Sequence, residues 1–511
     1  MKAKGWHGKL PILVGAVLLI LAFPPFPFGF LAYVALIPLL RATEGLGFRK
    51  AFLKSYCFGA IWLLGIIYWI GLLDAVSPMT KVFAVIGAIG AIVVLSGFFA
   101  LKIAVVRWSE KYLGKRALWL LPFVWAGVEY GRSFDQLAFP WIALGNTQTY
   151  YQGLVQFADV TSVYGISAWI VLVNLIVYRI TTQWGRKKEM AVYLALLGLS
   201  FLLPFLYSQW VMNRQIEGRT VTIALCQGNF SIVEKWAPKN RNYNIQVYED
   251  LSRKAAEENV DLIVWPETAT PTYLLQNKGR RIHMQRFVNK LGIPILTGIP
   301  YDIEGSDYGH NSAVLFRPEH KDVTLYHKIH PVPFSERVPL DNYIPFLRTI
   351  DYGESDWEPG TEYTVFDFCK GTFCVLICFE SVFPDIVQQF IRRGAELILV
   401  ITNDAWFRNS SSPYQHARFA VMRAIEHKVT VARCANTGIS MIIDPFGHIR
   451  HETKFNTRDL IVHDVILRES DTFYGCHGNI FGQGCLIAIA GMLIACLRMR
   501  KHRIASTSFE N

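Results

Sequence analysis

Three residues in the second half of the chain have side chains suited to acyl chemistry, and each stands where an apolar run gives way to a loop. Glu267 closes "DLIVWPETATP", Lys328 lies in "YHKIHPVPFSERVPL", and Cys378 ends "FCVLICFE". Loops held by a rigid scaffold are where function concentrates. A cysteine attacks only as the thiolate, so it needs a base or a positive neighbour. A glutamate can take the thiol proton and pass it to a leaving group. A lysine ammonium can hold that carboxylate and stabilise the oxyanion of a tetrahedral intermediate. Taken singly, each has a plainer reading. Strand-end cysteines are commonly small buried hydrophobes, a Glu after Trp-Pro suits a turn or helix cap, and a Lys beside Tyr and His suits solvated surface. Their joint context and order favour the chemical reading.

The elements that must position them lie in a segment of soluble composition, roughly 212–480. Strand-like runs include "TVTIALCQ", "DLIVWPE", "PILTGIP", "FCVLICFE", "ELILVITND", "VTVARCANTG" and "ISMIIDPFG". Amphipathic helix patterns fall at 241–258, 281–292, 382–393 and 413–427. Such alternation predicts an α/β domain with a central layered sheet.

The rest of the chain is different. Only 18% of the 511 residues are charged and 52% are hydrophobic, against about 25% charged in soluble chains. Apolar stretches fall at 10–27, 29–41, 55–73, 83–105, 117–130, 163–180, 190–209 and 482–497. A spanning helix needs about 20 apolar residues, so the second and fifth are short. "FPPFPFGF" predicts a tight hairpin between the first two. No small-residue cleavage site follows the first stretch, which therefore reads as a helix rather than a leader. The net charge of +11 sits beside these stretches: Lys2, Lys4 and Lys9; Arg41, Arg49, Lys50 and Lys54; Arg107, Lys111, Lys115 and Arg116; Arg186, Lys187 and Lys188; Arg498, Arg500, Lys501 and Arg503. With eight spans every basic loop falls on one side, the cytoplasm, and 212–480 falls outside. That placement accounts for the charge without nucleic acid. Glu129 and Arg132, near a span end, read as a structural pair rather than a transport path. Nine cysteines are too few for a disulfide scaffold, and the pairing of nearby Cys369 and Cys374 cannot be read from spacing. No metal-binding spacing stands out, so no metal and no cofactor are expected.

"VWPET", the Lys in its aromatic-rich loop, "ICFE", "TNDAWF" and "ANTGIS" together resemble the nitrilase (carbon–nitrogen hydrolase) superfamily over residues 220 to about 466. "QGNF" with Trp236, "VPFSERVPL" with Glu336, and "FPWIALGNTQ" from Phe139 extend the likeness to its membrane-embedded branch, the apolipoprotein N-acyltransferases. The resemblance implies about eight transmembrane helices (1–211 and 481–511) around a nitrilase-like αββα sandwich at 212–480. It implies Glu267 as general base, Lys328 as oxyanion stabiliser and Cys378 as nucleophile. Glu336 and Glu380 would support them, and Asn229, Trp236, Phe379 and Trp406 would contact substrate. Three departures stand out: Phe379 where the branch commonly has Tyr, Ser335 where it has Gly, and Pro331 where an apolar residue is common. The implied reaction moves an sn-1 acyl chain from a phospholipid, through a cysteine thioester, to the α-amine of a lipoprotein's diacylglyceryl-cysteine. The expected setting is a bacterial inner membrane, with both termini cytoplasmic and the chain acting as a monomer. The rival expectation is a membrane-tethered amidase using the same three residues; a non-enzymatic transporter or scaffold fits their joint retention less well. Apolar loops such as 339–350 are expected either to dip toward lipid and shield the thioester from water, or simply to pack as ordinary loops.

Overall fold

The computed structural model describes residues 8–74, 78–134, 136–183, 185–305, 308–341, 343–344, 346 and 357–508. Lys2, Lys4 and residues 347–356, the end of the 339–350 loop included, lie outside them. Among the described residues, five helices are long and apolar enough to cross a membrane: Phe48–Leu72, Thr80–Leu113, Ala158–Thr182, Lys187–Met212 and Ile480–Arg503. Three expected spans form shorter helices: Lys9–Ala22, Gly29–Ala42 and Leu121–Gly131. The first stops well before residue 27 because Pro24, Pro25 and Pro27 supply no amide donors to continue it. Glu129 does not pair with Arg132 as expected. Its carboxylate takes Lys102 Nζ at 3.3 Å and Trp125 Nε1 at 2.7 Å, while Arg132 lies over the Phe98 ring.

Twelve strands form two six-stranded sheets among the described residues. The first sheet runs β12 (Asp459–Leu467), β1 (Arg219–Gln227), β2 (Leu262–Val264), β3 (Ile295–Asp302), β4 (Gly309–Phe316) and β5 (Thr324–His327). The second runs β11 (Ile449–Glu452), β10 (Met441–Ile443), β9 (Val431–Ala435), β8 (Ile398–Thr402), β7 (Thr372–Ile377) and β6 (Val365–Asp367). Each has three parallel strands in the middle, β1–β3 and β7–β9, with antiparallel flanks. Side chains alternate across a strand, and β1 shows the result. Ile223 and Leu225 join the core shared with the second sheet, whereas Ala224 and Cys226 pack with Tyr248 and Leu251 of helix Arg241–Ala256. The order helix, sheet, sheet, helix is the expected αββα sandwich. All nine cysteines are free thiols; Cys374 is buried within β7 and Cys369 is exposed in the turn before it.

The outer helix of the second sheet, Ser412–His427, packs on the membrane helix Ala158–Thr182. That membrane helix is broken at Ser162, with φ 58° and ψ −175°, which leaves the Val163 amide without an intrahelical acceptor. Glu426 Oε1 accepts it at 2.9 Å and also accepts Arg423 at 3.0 Å. A carboxylate from the sandwich therefore caps a helix of the membrane part. Removing one member of a buried charge pair typically costs about 3–5 kcal/mol. Glu426→Ala is accordingly expected to lower the thermal midpoint in detergent by several degrees, with Arg423→Met giving a smaller loss; equal melting of Glu426→Ala and the parent would contradict the capping role.

Candidate active site

The carboxyl ends of the strands converge on one region. Glu267 follows β2 by way of Trp265 and Pro266, Lys328 follows β5 directly, Cys378 follows β7, and Asn403 follows β8. The Glu267 turn continues through Thr268 at φ 46°, and β3 crosses close behind it. A Cβ on Gly298 would stand 2.6 Å from Thr268 N and 2.7 Å from Glu267 Cα, so only glycine admits this approach.

Lys328 is 1% exposed, far from the solvated surface that its neighbours suggest. Its Nζ lies 2.9 and 2.7 Å from the two Glu336 oxygens and 3.9 Å from Glu267 Oε1. Asn311 on β4 donates its Nδ2 to Glu267 at 2.8 Å and to Glu336 at 3.0 Å. The second Glu267 oxygen accepts the Asn403 amide at 2.8 Å. Burial works against the Lys328 ammonium, but the Glu336 and Glu267 carboxylates outweigh it and hold the lysine protonated well above the usual range. Burial raises the Glu267 carboxyl; Lys328 opposes this and Glu336 adds to it, leaving it above an ordinary glutamic acid. For Cys378, burial and then the Glu267 charge push the thiol up, against the pull of Lys328. Cys378 therefore rests as the thiol, which leaves its proton for a general base to take.

Cys378 has φ 55°, a left-handed conformation that costs a residue with a Cβ about 1–3 kcal/mol and persists only where its surroundings hold it. Its carbonyl accepts Ser381 Oγ at 2.8 Å and stands 3.0 Å from His416 Nε2. The other His416 nitrogen is 3.0 Å from Asp404 Oδ1, and Arg433 donates to Asp404 Oδ2 at 2.6 Å. Burial raises the Asp404 carboxyl, but Arg433 and His416 overcome it and bring it down to about 2. A Cβ on Gly438 would fall 1.9 Å from Asp404 Oδ2, which gives the "ANTGIS" glycine its place.

Glu380 is fully buried and holds backbone, with no contact to the thiol among its bonds. It accepts Tyr326 OH at 2.7 Å, the amides of Ile329 and His330 at 2.7 and 3.2 Å, and the Ile377 amide at 2.8 Å. It therefore ties the loop after Lys328 to the Cys378 turn; burial still lifts its carboxyl to about 7. Phe379 is buried among Phe139, Trp141, His330 and Phe383, at ring separations of 5.9, 6.4, 6.0 and 5.0 Å. A hydroxyl on that ring is thus not needed to fill the space.

The remaining expected residues stand farther out. Asn229, at φ 56°, donates its amide to Asn436 O. It links to Glu267 through Asn436 and Asn403. Trp236 ends a short helix and is 37% exposed. Trp406 is half-buried, its carbonyl accepting the Asp74 amide at 2.9 Å. Asn311, His416, Asp404 and Arg433 were not singled out in the sequence as site residues. Asn311 lies on a strand that its polar start conceals, and His416 and Arg433 reach the site only through packing.

Glu336→Gln removes the like charge that raises Glu267 and releases Lys328 toward it. The acid limb of iodoacetamide alkylation at Cys378, followed on its own peptide by mass spectrometry, is expected to move down by about one pH unit. A limb that moves up would contradict this electrostatic ordering.

Comparison with known proteins matches residues 15–176 to the family described as apolipoprotein N-acyltransferase N-terminal domain, and residues 222–472 to carbon–nitrogen hydrolase. The chain is 35% identical over 505 residues to an apolipoprotein N-acyltransferase of Geobacter metallireducens, covering 97% of this chain and 96% of that one. It is 32% identical over 535 residues to that of Chlorobaculum tepidum, covering 96% of each. Among solved structures, the NitN amidase from Neterenkonia sp. AN1 aligns at 21% identity and a TM-score of 0.38, over 50% of this chain and 96% of that one.

Proposed function

Because the chain belongs to the apolipoprotein N-acyltransferase family, we propose that Glu267, Lys328 and Cys378 carry a two-step acyl transfer from a phospholipid to a lipoprotein. In the first step Glu267 takes the Cys378 proton as sulfur attacks the sn-1 ester carbonyl. Lys328 faces the developing oxyanion, the ester C–O bond breaks, and Glu267 returns the proton to the departing glycerol oxygen of a lysophospholipid. In the second step the free α-amine of a diacylglyceryl-cysteine attacks the thioester and gives a proton to Glu267. The C–S bond breaks, and the thiolate recovers that proton. Atoms and charge balance with no metal or cofactor.

The observation that carries this reading is the buried Lys328, shared between Glu336 and Glu267 in the field of Cys378. Both substrates have acyl chains fixed in a bilayer, so a site joined to membrane helices raises their effective concentration. Full-length relatives named as acyltransferases do not favour the amidase alternative. The catalytic unit we assign to 212–480 faces the outer side of the inner membrane, with both termini cytoplasmic, since the basic loops lie on the opposite side. Glu336 and Glu380 act as positioning residues, and Asn229, Trp236, Phe379 and Trp406 bound the region that substrate enters. In the 339–350 loop, Tyr343 and Phe346 are 78% and 70% exposed, suited to contact with lipid.

Incubation with a phospholipid radiolabelled in its sn-1 chain should leave a hydroxylamine-sensitive label on the protein. Cys378→Ala should carry none, and Glu267→Gln and Lys328→Met less than about 1% of the parent amount, since such groups each contribute about 10²–10³-fold or more. Label persisting on Cys378→Ala would overturn the nucleophile.

A further inference from the structure

Lys235 immediately precedes Trp236, and in the fold it lies beneath the base. It is 1% exposed, in the short helix Ile232–Trp236 that Ser231 and Glu234 close with a reciprocal capping box. Its Nζ donates to the Glu267 carbonyl oxygen at 2.9 Å and to Thr268 Oγ1. Asn244 of helix Arg241–Ala256 fixes the Lys235 carbonyl at 2.9 Å. Lysine is almost never fully buried without a paired charge, yet among the described residues no carboxylate stands within ion-pair distance of this one. Burial lowers its ammonium to about 7, with Glu267 the opposing charge.

Two features give this placement a purpose. Thr268 is held at φ 46°, so the turn bearing Glu267 is strained and needs outside contacts; Lys235 supplies one on each side of that peptide. Charge is the second. The buried cluster of Glu267, Glu336 and Lys328 sets two carboxyl groups against one ammonium, and Lys235, when protonated, is the further cation that offsets the second carboxylate. The groups facing Glu267 are Lys328 after β5, Glu336 in the loop beyond, Asn311 on β4, the Asn403 amide after β8, Cys378 after β7 and Lys235. Lys235 is the cation of this set that no carboxylate engages directly.

We propose that Lys235 is a positioning residue for the catalytic base, fixing the Glu267–Thr268 turn through hydrogen bonds and, in its protonated form, favouring the Glu267 carboxylate that accepts the Cys378 proton. This rests on the reading of Glu267 as the base. It also ties Trp236, the next residue, mechanically to the base.

The test uses the full-length protein in detergent and follows iodoacetamide alkylation of the Cys378 peptide against pH, which requires no lipid substrate. Lys235→Met should raise the acid limb by about one pH unit and slow alkylation about tenfold on that limb. Lys235→Gln, which keeps a donor for the turn without the charge, should give the same shift and serves if the methionine variant does not fold. A limb unmoved in the folded variant, whatever its melting temperature, reduces Lys235 to a structural lysine and overturns the inference. Glu267→Gln should abolish the limb. If the limb persists there, the base assignment fails and the inference with it; if it is lost there but unmoved in Lys235→Met or Lys235→Gln, only the inference fails.

Discussion

The ammonium of Lys328, buried between the carboxylates of Glu336 and Glu267, sets what the surrounding structure must supply. An isolated buried charge costs several kcal/mol unless partners and hydrogen bonds meet it, so Asn311 bridges the two carboxylates and Asn403 closes the last oxygen of Glu267. Those partners come from different strands and from loops of both sheets. The layered sandwich is thus the means by which an ammonium is kept charged away from water, where its field is screened least.

Cys378, the nucleophile we propose, is held in a different way. Cys378 occupies a strained left-handed turn, and what keeps it there is a network behind the sheet: His416 and Ser381 on its carbonyl, with Asp404 and Arg433 behind His416. Glu380 adds a third restraint by tying the Ile377 amide to the loop that follows Lys328. Lysine and cysteine are thereby fixed relative to each other through backbone.

The same helix that brings His416 under Cys378 also meets the membrane part. Gln415 accepts Trp141 Nε1 at 2.8 Å, Glu426 caps Val163, and the adjoining Lys428 donates to Gln156 at 2.8 Å. A single helix therefore couples the cysteine turn to the membrane helices, and Phe379 extends the contact by packing on Phe139 and Trp141.

Much of this was legible in the amino-acid order. Long apolar runs with flanking Lys and Arg define membrane helices because backbone must satisfy itself in lipid. The buried parallel strands read clearly because both of their faces are covered, which demands continuous Val, Ile and Leu. β4, β5, β6, β11 and β12 did not stand out, since flanking strands are short or carry mixed polarity, as "GHNSAVLF" shows. Glu267, Lys328 and Cys378 were visible as residue types at strand ends. The burial of Lys328, the bridging Asn311, the His416 network and Lys235 were decided only by tertiary structure. Each depends on contacts between segments tens to hundreds of residues apart, and whether a polar side chain is solvated or buried against a partner is a property of that packing, which no local pattern encodes.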